Sequence, residues 1–109
     1  MAKPGHVGGL TGIVHQVAFR WRDGVTAEQV AALEQALGAL PGKVDGVLAY
    51  GFGPDLGLRA GNADFAVVGI FVDLAAYQAY AANEYHQALI RDHVLPIAAE
   101  RHAVQFELG

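Results

Sequence analysis

Two imidazoles and a phenol are the side chains best placed for chemistry in this sequence. His15 sits in the run Ile13-Val14-His15-Gln16-Val17-Ala18-Phe19-Arg20-Trp21-Arg22. There a period of two sets Ile13, His15, Val17, Phe19 and Trp21 on one apolar face, with Gln16, Arg20 and Arg22 opposite. An imidazole on a core-facing row must find a hydrogen-bond partner or open onto a cavity, because an unpaired buried polar group costs roughly 1–3 kcal/mol. His86 shares a helical stripe with Leu89, Ile90, His93 and Ile97. Tyr80 lies on a helix face with Leu74, Tyr77 and Ala81. Two imidazoles that meet in one pocket can remove a proton from a carbon flanked by carbonyls and donate to the enolate oxygen, leading to aldol-type ring closure. In that chemistry His86 is the base, and His15 or the Tyr80 hydroxyl is the donor. The competing reading makes His15 a core histidine bonded to a backbone carbonyl or a water, His86 a capping residue and Tyr80 a core ring.

The elements that must position these groups follow from pattern and punctuation. After the first strand, Asp23-Gly24 marks a turn, and Thr26-Ala27-Glu28-Gln29 forms a capping box that opens a helix. Val30, Leu33, Leu37 and Leu40 recur at helical spacing, and Pro41-Gly42 ends the run. Residues 47–52 read as a second strand, residues 53–62 as a long hairpin loop, and residues 65–72, apolar throughout, as a central strand covered on both faces. A helical segment opens at Asp73-Leu74, breaks around Asn83-Glu84, and resumes from His86 to about residue 99, before a last strand over 103–108. The order β-α-β-β-α-β implies a ferredoxin-like α+β sandwich, with a four-stranded antiparallel sheet and both helices on one face. His15 then looks into the space between sheet and helices, with His86 on the opposite wall and Val17, Phe65, Val67, Leu89 and Ile90 as lining. Large side chains, Phe65, Phe71, Tyr80 and Leu89 among them, could equally fill that space.

Composition narrows the partners. The chain of 109 residues is one domain, with a leader over 1–11 expected to be flexible and the folded unit over 12–109. A 53% hydrophobic fraction beside 17% charged residues is high for so small a chain, and implies that a second copy covers apolar surface. A net charge of −4 with only seven Lys and Arg, not clustered, argues against nucleic acid. No run reaches membrane-spanning length, and the absence of cysteine suits a reducing, cytoplasmic compartment. No glycine-rich strand-to-helix turn cradles a phosphate, so no cofactor is expected. His86 and His93 are seven residues apart without a completing carboxylate, so no metal is expected either. His6 and His102 read as solvated, and Tyr77 and Tyr85 as packing or dimer-surface residues.

Three motifs together resemble the Dabb family of stress-responsive dimeric α/β-barrel proteins, a relation that also takes in plant polyketide cyclases of the olivetolic acid cyclase type. They are His15 with the strand end Phe19-Arg20-Trp21-Arg22-Asp23, the strand Asp64-Phe65-Ala66-Val67-Val68-Gly69-Ile70-Phe71, and Tyr80 with His86 six residues on. The resemblance runs from Gly12 to Leu108 and implies a homodimer whose two sheets close into a barrel. It also implies a cavity for a small apolar or polyketide-like ligand, since the cyclases use a strand histidine matching His15, a histidine matching His86 and a cavity-lining tyrosine matching Tyr80. Two departures accompany it: Asn83 and Glu84 replace the family's usual histidine and proline, and a further cyclase histidine falls at Phe65. More distant dimeric α/β-barrels bind and degrade haem through a helix histidine, a role only His86 or His93 could take here.

Overall fold

The structure is a computed structural model that describes Gly5 and residues 9–109. Strand β1, Gly12–Trp21, is followed by helix α1, Ala27–Ala39, then β2, Val47–Pro54, and β3, Phe65–Phe71. Helix α2, Leu74–Ala82, and the short α3, Glu84–Leu89, precede β4, Ala98–Leu108. The strands form one antiparallel sheet in the order β2-β3-β1-β4, the topology expected of a ferredoxin-like fold. The capping box forms as its spacing requires: the Gln29 amide N–H donates to the Thr26 hydroxyl at 3.2 Å, and the Thr26 N–H donates back to the Gln29 side chain at 2.9 Å.

The inner face of the sheet makes the core. Val17 and Phe19 of β1 and Phe65, Val67 and Phe71 of β3 are buried against Leu33, Leu37 and Leu40. Each such side chain contributes on the order of 2 kcal/mol by leaving water. On β3 burial alternates instead of covering both faces: Phe65, Val67, Gly69 and Phe71 are buried, whereas Val68 of the outer row is 37% exposed. The continuous apolar run is therefore a strand with one row under the helices and, among the described residues, one row that no helix covers.

The C-terminal third departs from the expected pattern in a way that matters for the site. The helix does not run to residue 99. After α3 the chain widens into a single π-turn, Ile90–Val94, closed by the Leu95 N–H on the Ile90 carbonyl at 2.9 Å. Pro96 follows, and proline cannot continue a helical ladder. Residues 98–102, rich in helix formers, are drawn into β4 by pairing with β1, in which Trp21 stands opposite Ala98 and Arg20 opposite Glu100. Tertiary pairing overrides local propensity there. Leu74, expected on the apolar face of its helix, is 55% exposed. The leader expected over 1–11 lies largely outside the described residues, as does His6. Within the described part, Gly5 bridges Leu108 in parallel.

Candidate active site

A cavity of about 160 Å³ opens between the inner face of β1 and the α3 segment. His15, Tyr80 and His86 all line it, together with Val17, Val67, Leu89 and Ile90. Phe65 does not. It is 1% exposed and packed in the core, its ring 5.6 Å from that of Trp21. Phe71 likewise belongs to the core, and its ring closes on Tyr80 at 4.8 Å. Large side chains thus wall the cavity without filling it.

His15 is 4% exposed, the buried polar side chain of the described core. Two tyrosines pack on it, Tyr77 at 5.3 Å and Tyr80 at 5.7 Å between ring centroids. Opposite it in β3 is Gly69, where a Cβ would stand 2.9 Å from the Phe71 ring, so the missing side chain makes room for the aromatic floor beside the histidine. Its polar partner comes from β4: the Gln105 side-chain amide donates to Nδ1 at 2.8 Å. Nδ1 is then the acceptor, and the proton of the neutral ring sits on Nε2. Among the described residues Nε2 has no hydrogen-bond partner, and it is not sealed from solvent. Burial, with the charge of Arg101 and the neighbouring His86, pushes the His15 pKa down to about 4, so the ring is neutral at physiological pH.

His86 is arranged the opposite way. Asn83 caps α3, its side-chain oxygen accepting the His86 backbone N–H at 3.1 Å. That fixes the first turn and turns the ring toward Ala81, whose carbonyl lies 3.4 Å from Nδ1. A carbonyl can only accept, so Nδ1 carries the proton and Nε2 presents a lone pair. Burial holds the His86 pKa below its ordinary value, Arg101 acts in the same direction, and the Ala81 contact opposes them. Between the two histidines lies the Tyr80 ring, 4.2 Å from His86. Its hydroxyl is 2.9 Å from that of Tyr50, and burial raises the pKa of both phenols, leaving them protonated donors.

Three residues of the site were not singled out from the sequence. Tyr50 of β2 and Arg101 of β4, opposite Phe19, line the cavity, and Gln105 of β4, opposite His15, bonds to its ring. An alternating reading of β2 would have found Tyr50; the β4 pair required the true start of that strand. His93 does not join His86: it lines a separate groove with Ala36, Tyr85 and Asp92. Among the described residues no group of three or more His, Cys, Asp or Glu is placed to hold a metal ion. Tyr85 packs, donating to the Ala36 carbonyl at 2.9 Å with Lys43 above its ring. His102 lies within β4, exposed and 3.4 Å from Glu100.

Comparisons with known proteins agree with the fold. A dimeric ferredoxin-like protein of unknown function from Thermobifida fusca is 39% identical, with 98% of this chain and 100% of that chain covered and a TM-score of 0.83. A hydroxynitrile lyase from Passiflora edulis shares the fold at 17% identity, 90% and 94% coverage and a TM-score of 0.78. A Dabb family protein from Mesorhizobium loti does so at 18% identity, 89% and 96% coverage and a TM-score of 0.73. No curated protein matches the chain. The family model of the stress responsive A/B barrel domain, Dabb, matches residues 13–108, nearly the whole of the folded unit, and the chain belongs to that family.

Proposed function

We propose that this protein binds a small, largely apolar carbonyl compound between sheet and helices and moves a proton on it without a cofactor. One observation carries the reading: the two histidines bordering one cavity make opposite contacts, Nδ1 of His86 facing the Ala81 carbonyl and Nδ1 of His15 facing the Gln105 amide, an arrangement that suits a lone pair on Nε2 of His86 and a proton on Nε2 of His15. One is poised to accept a proton and the other to donate one, both neutral near pH 7. His86 takes the acidic proton from a carbon next to the carbonyl. His15 stabilises the enolate oxygen, and Tyr80 adds a second donor when Tyr50 donates to it. The enolate carbon then attacks an internal carbonyl, forming the C–C bond as the carbonyl π bond becomes an alkoxide, which takes the proton back from His86; run in reverse, the same steps cleave the bond as a lyase would. The Passiflora neighbour, a lyase on the same fold, is compatible with this chemistry. A cavity of about 160 Å³ is below the range of about 300–1,000 Å³ usual for drug-sized ligands, which favours a compact substrate over a haem.

The outer face of the sheet supports a homodimer. Val68, Val104 and Phe106 lie there, 37%, 50% and 39% exposed, in one patch centred on Gln16 of β1. Solved relatives of this fold are described as dimeric.

The direct test is exchange of the methylene protons of a small 1,3-diketone in D₂O, followed by NMR. The protein is expected to accelerate exchange, and His86→Gln to lose most of that acceleration. Exchange at the buffer rate, or full retention in His86→Gln, would overturn the proposal.

A further inference from the structure

Arg101 has no part in the proton transfer, yet it stands in the same cavity. Its row on β4 faces the helices: Gln105, two positions beyond Ala103 on that row, reaches inward to His15, and Arg101 stands opposite Phe19, an inner-face residue. Its charge is felt at His15, His86 and Tyr80 alike. Among the described residues Arg101 has no carboxylate within ion-pair distance. Glu100, its neighbour, also borders the cavity, but its carboxylate is engaged by Arg20 and His102, 3.4 Å from each. The other polar side chains lining the cavity are two neutral histidines, two protonated tyrosines and Glu100, whose carboxylate is already paired. An acidic protein thus holds an uncompensated guanidinium at the mouth of an apolar cavity, where a low-dielectric wall strengthens its pull on an anion.

We propose that the natural ligand has an apolar body ending in a carboxylate, and that Arg101 is the residue that holds the carboxylate. A guanidinium fork matches a planar carboxylate with two parallel hydrogen bonds. A phosphate would call for a second cation or a free helix N-terminus, and the start of α3 is already capped by Asn83. With the carboxylate on β4 and the apolar body directed toward Val67 and Leu89, the carbon next to a ketone passes between His15 and His86. The inference rests on the small-carbonyl-ligand reading and adds the acid to it: the substrate is a keto acid.

The test uses two probes of one shape, hexanoate and hexanamide, titrated into the wild-type protein while the ring resonances of His15 and His86 are followed by NMR. Hexanoate is expected to bind about tenfold more tightly than hexanamide. Arg101→Gln should remove that preference while hexanamide binds as before, and Arg101→Lys should keep part of it. Because Arg101 is exposed in β4, these variants remain folded, and the unchanged hexanamide titration verifies it. Equal binding of the two probes, or a preference that survives in Arg101→Gln, overturns the carboxylate proposal alone. If neither probe moves either histidine, the ligand reading beneath it falls as well.

Discussion

The side-chain amide of Gln105 donates to Nδ1 of His15 across 2.8 Å, and the two residues face each other in the pairing of β1 with β4. One strand thus sets the protonation pattern of a histidine on another. Replacing Gln105 by Ala removes the donor, and because Gln105 itself is solvent-exposed the loss is expected to be modest, about 1 kcal/mol of stability. Its larger effect is on the tautomer. Gln105→Glu offers Nδ1 an acceptor, so the proton should move from Nε2 to Nδ1 and the His15 pKa should rise. Nitrogen chemical shifts of the imidazole read this directly, and an unchanged Nε2–H form in Gln105→Glu would show that the amide does not set it.

Stability should fall on the acid side. His15 titrates near 6.5 in an unfolded chain and near 4 in the fold, so below about pH 6.5 the unfolded state takes up a proton that the native ring refuses. Stability contributed by the neutral ring is full above pH 6.5, declines as pH falls, and stops declining near pH 4, where the native ring protonates too. His86, also held below its ordinary value, adds to the same slope. Urea midpoints measured across this range should flatten in His15→Gln. For activity, kcat/KM is expected to rise with pH through a pKa below 6.5 and stay level to about pH 9, since both phenols ionise only above their ordinary value.

Tyr50 and Tyr80 satisfy each other through hydroxyls 2.9 Å apart in a half-buried setting. Removing either hydroxyl leaves its partner unpaired, so Tyr50→Phe and Tyr80→Phe should each cost about 1–2 kcal/mol. The double variant leaves no orphan and should cost less than the sum. Chemical denaturation of the four proteins closes the cycle. Tyr80→Phe should in addition slow proton exchange on the 1,3-diketone, whereas Tyr50→Phe should slow it less, because the hydroxyl facing the ligand is retained.

The parts of the molecule legible in the sequence are those where local pattern and tertiary placement agree. The alternation around His15 and the capping box at Thr26 each state the environment the structure supplies, whereas the stripe carrying His86 holds only as far as Ile90, beyond which the π-turn sends His93 to a separate groove. Residues 98–102 could not be read in advance: Ala98-Ala99-Glu100-Arg101 favours a helix by composition, and only pairing with β1 makes it a strand. That single boundary hid Arg101 and Gln105, because the cavity-facing row of β4 has meaning only once its register against His15 is known. Asn83 shows the complementary case. Read in the sequence as a break in the helix, it caps α3 with its side chain and holds the His86 backbone in place.

The apolar run of β3 makes a prediction about assembly. A strand buried on both sides is apolar in both rows, and here the outer row of Ala66, Val68 and Ile70 meets no other layer among the described residues. Val104 of β4 lies on the same face, across Gln16 from Val68. Covering this face with a second copy would bury residues that stand 37% and 50% exposed, while a charge placed there would have to be desolvated without a partner. Val68→Asp is therefore expected to shift the protein from dimer to monomer in analytical ultracentrifugation, and to lower its thermal midpoint in a concentration-dependent way. Leu56→Asp, a change at the 82% exposed tip of the β2–β3 loop, serves as the control for a charge added elsewhere. A wild-type monomer at micromolar concentration, or a dimer unaffected by Val68→Asp, would place the contact elsewhere and leave the apolar outer row without its explanation.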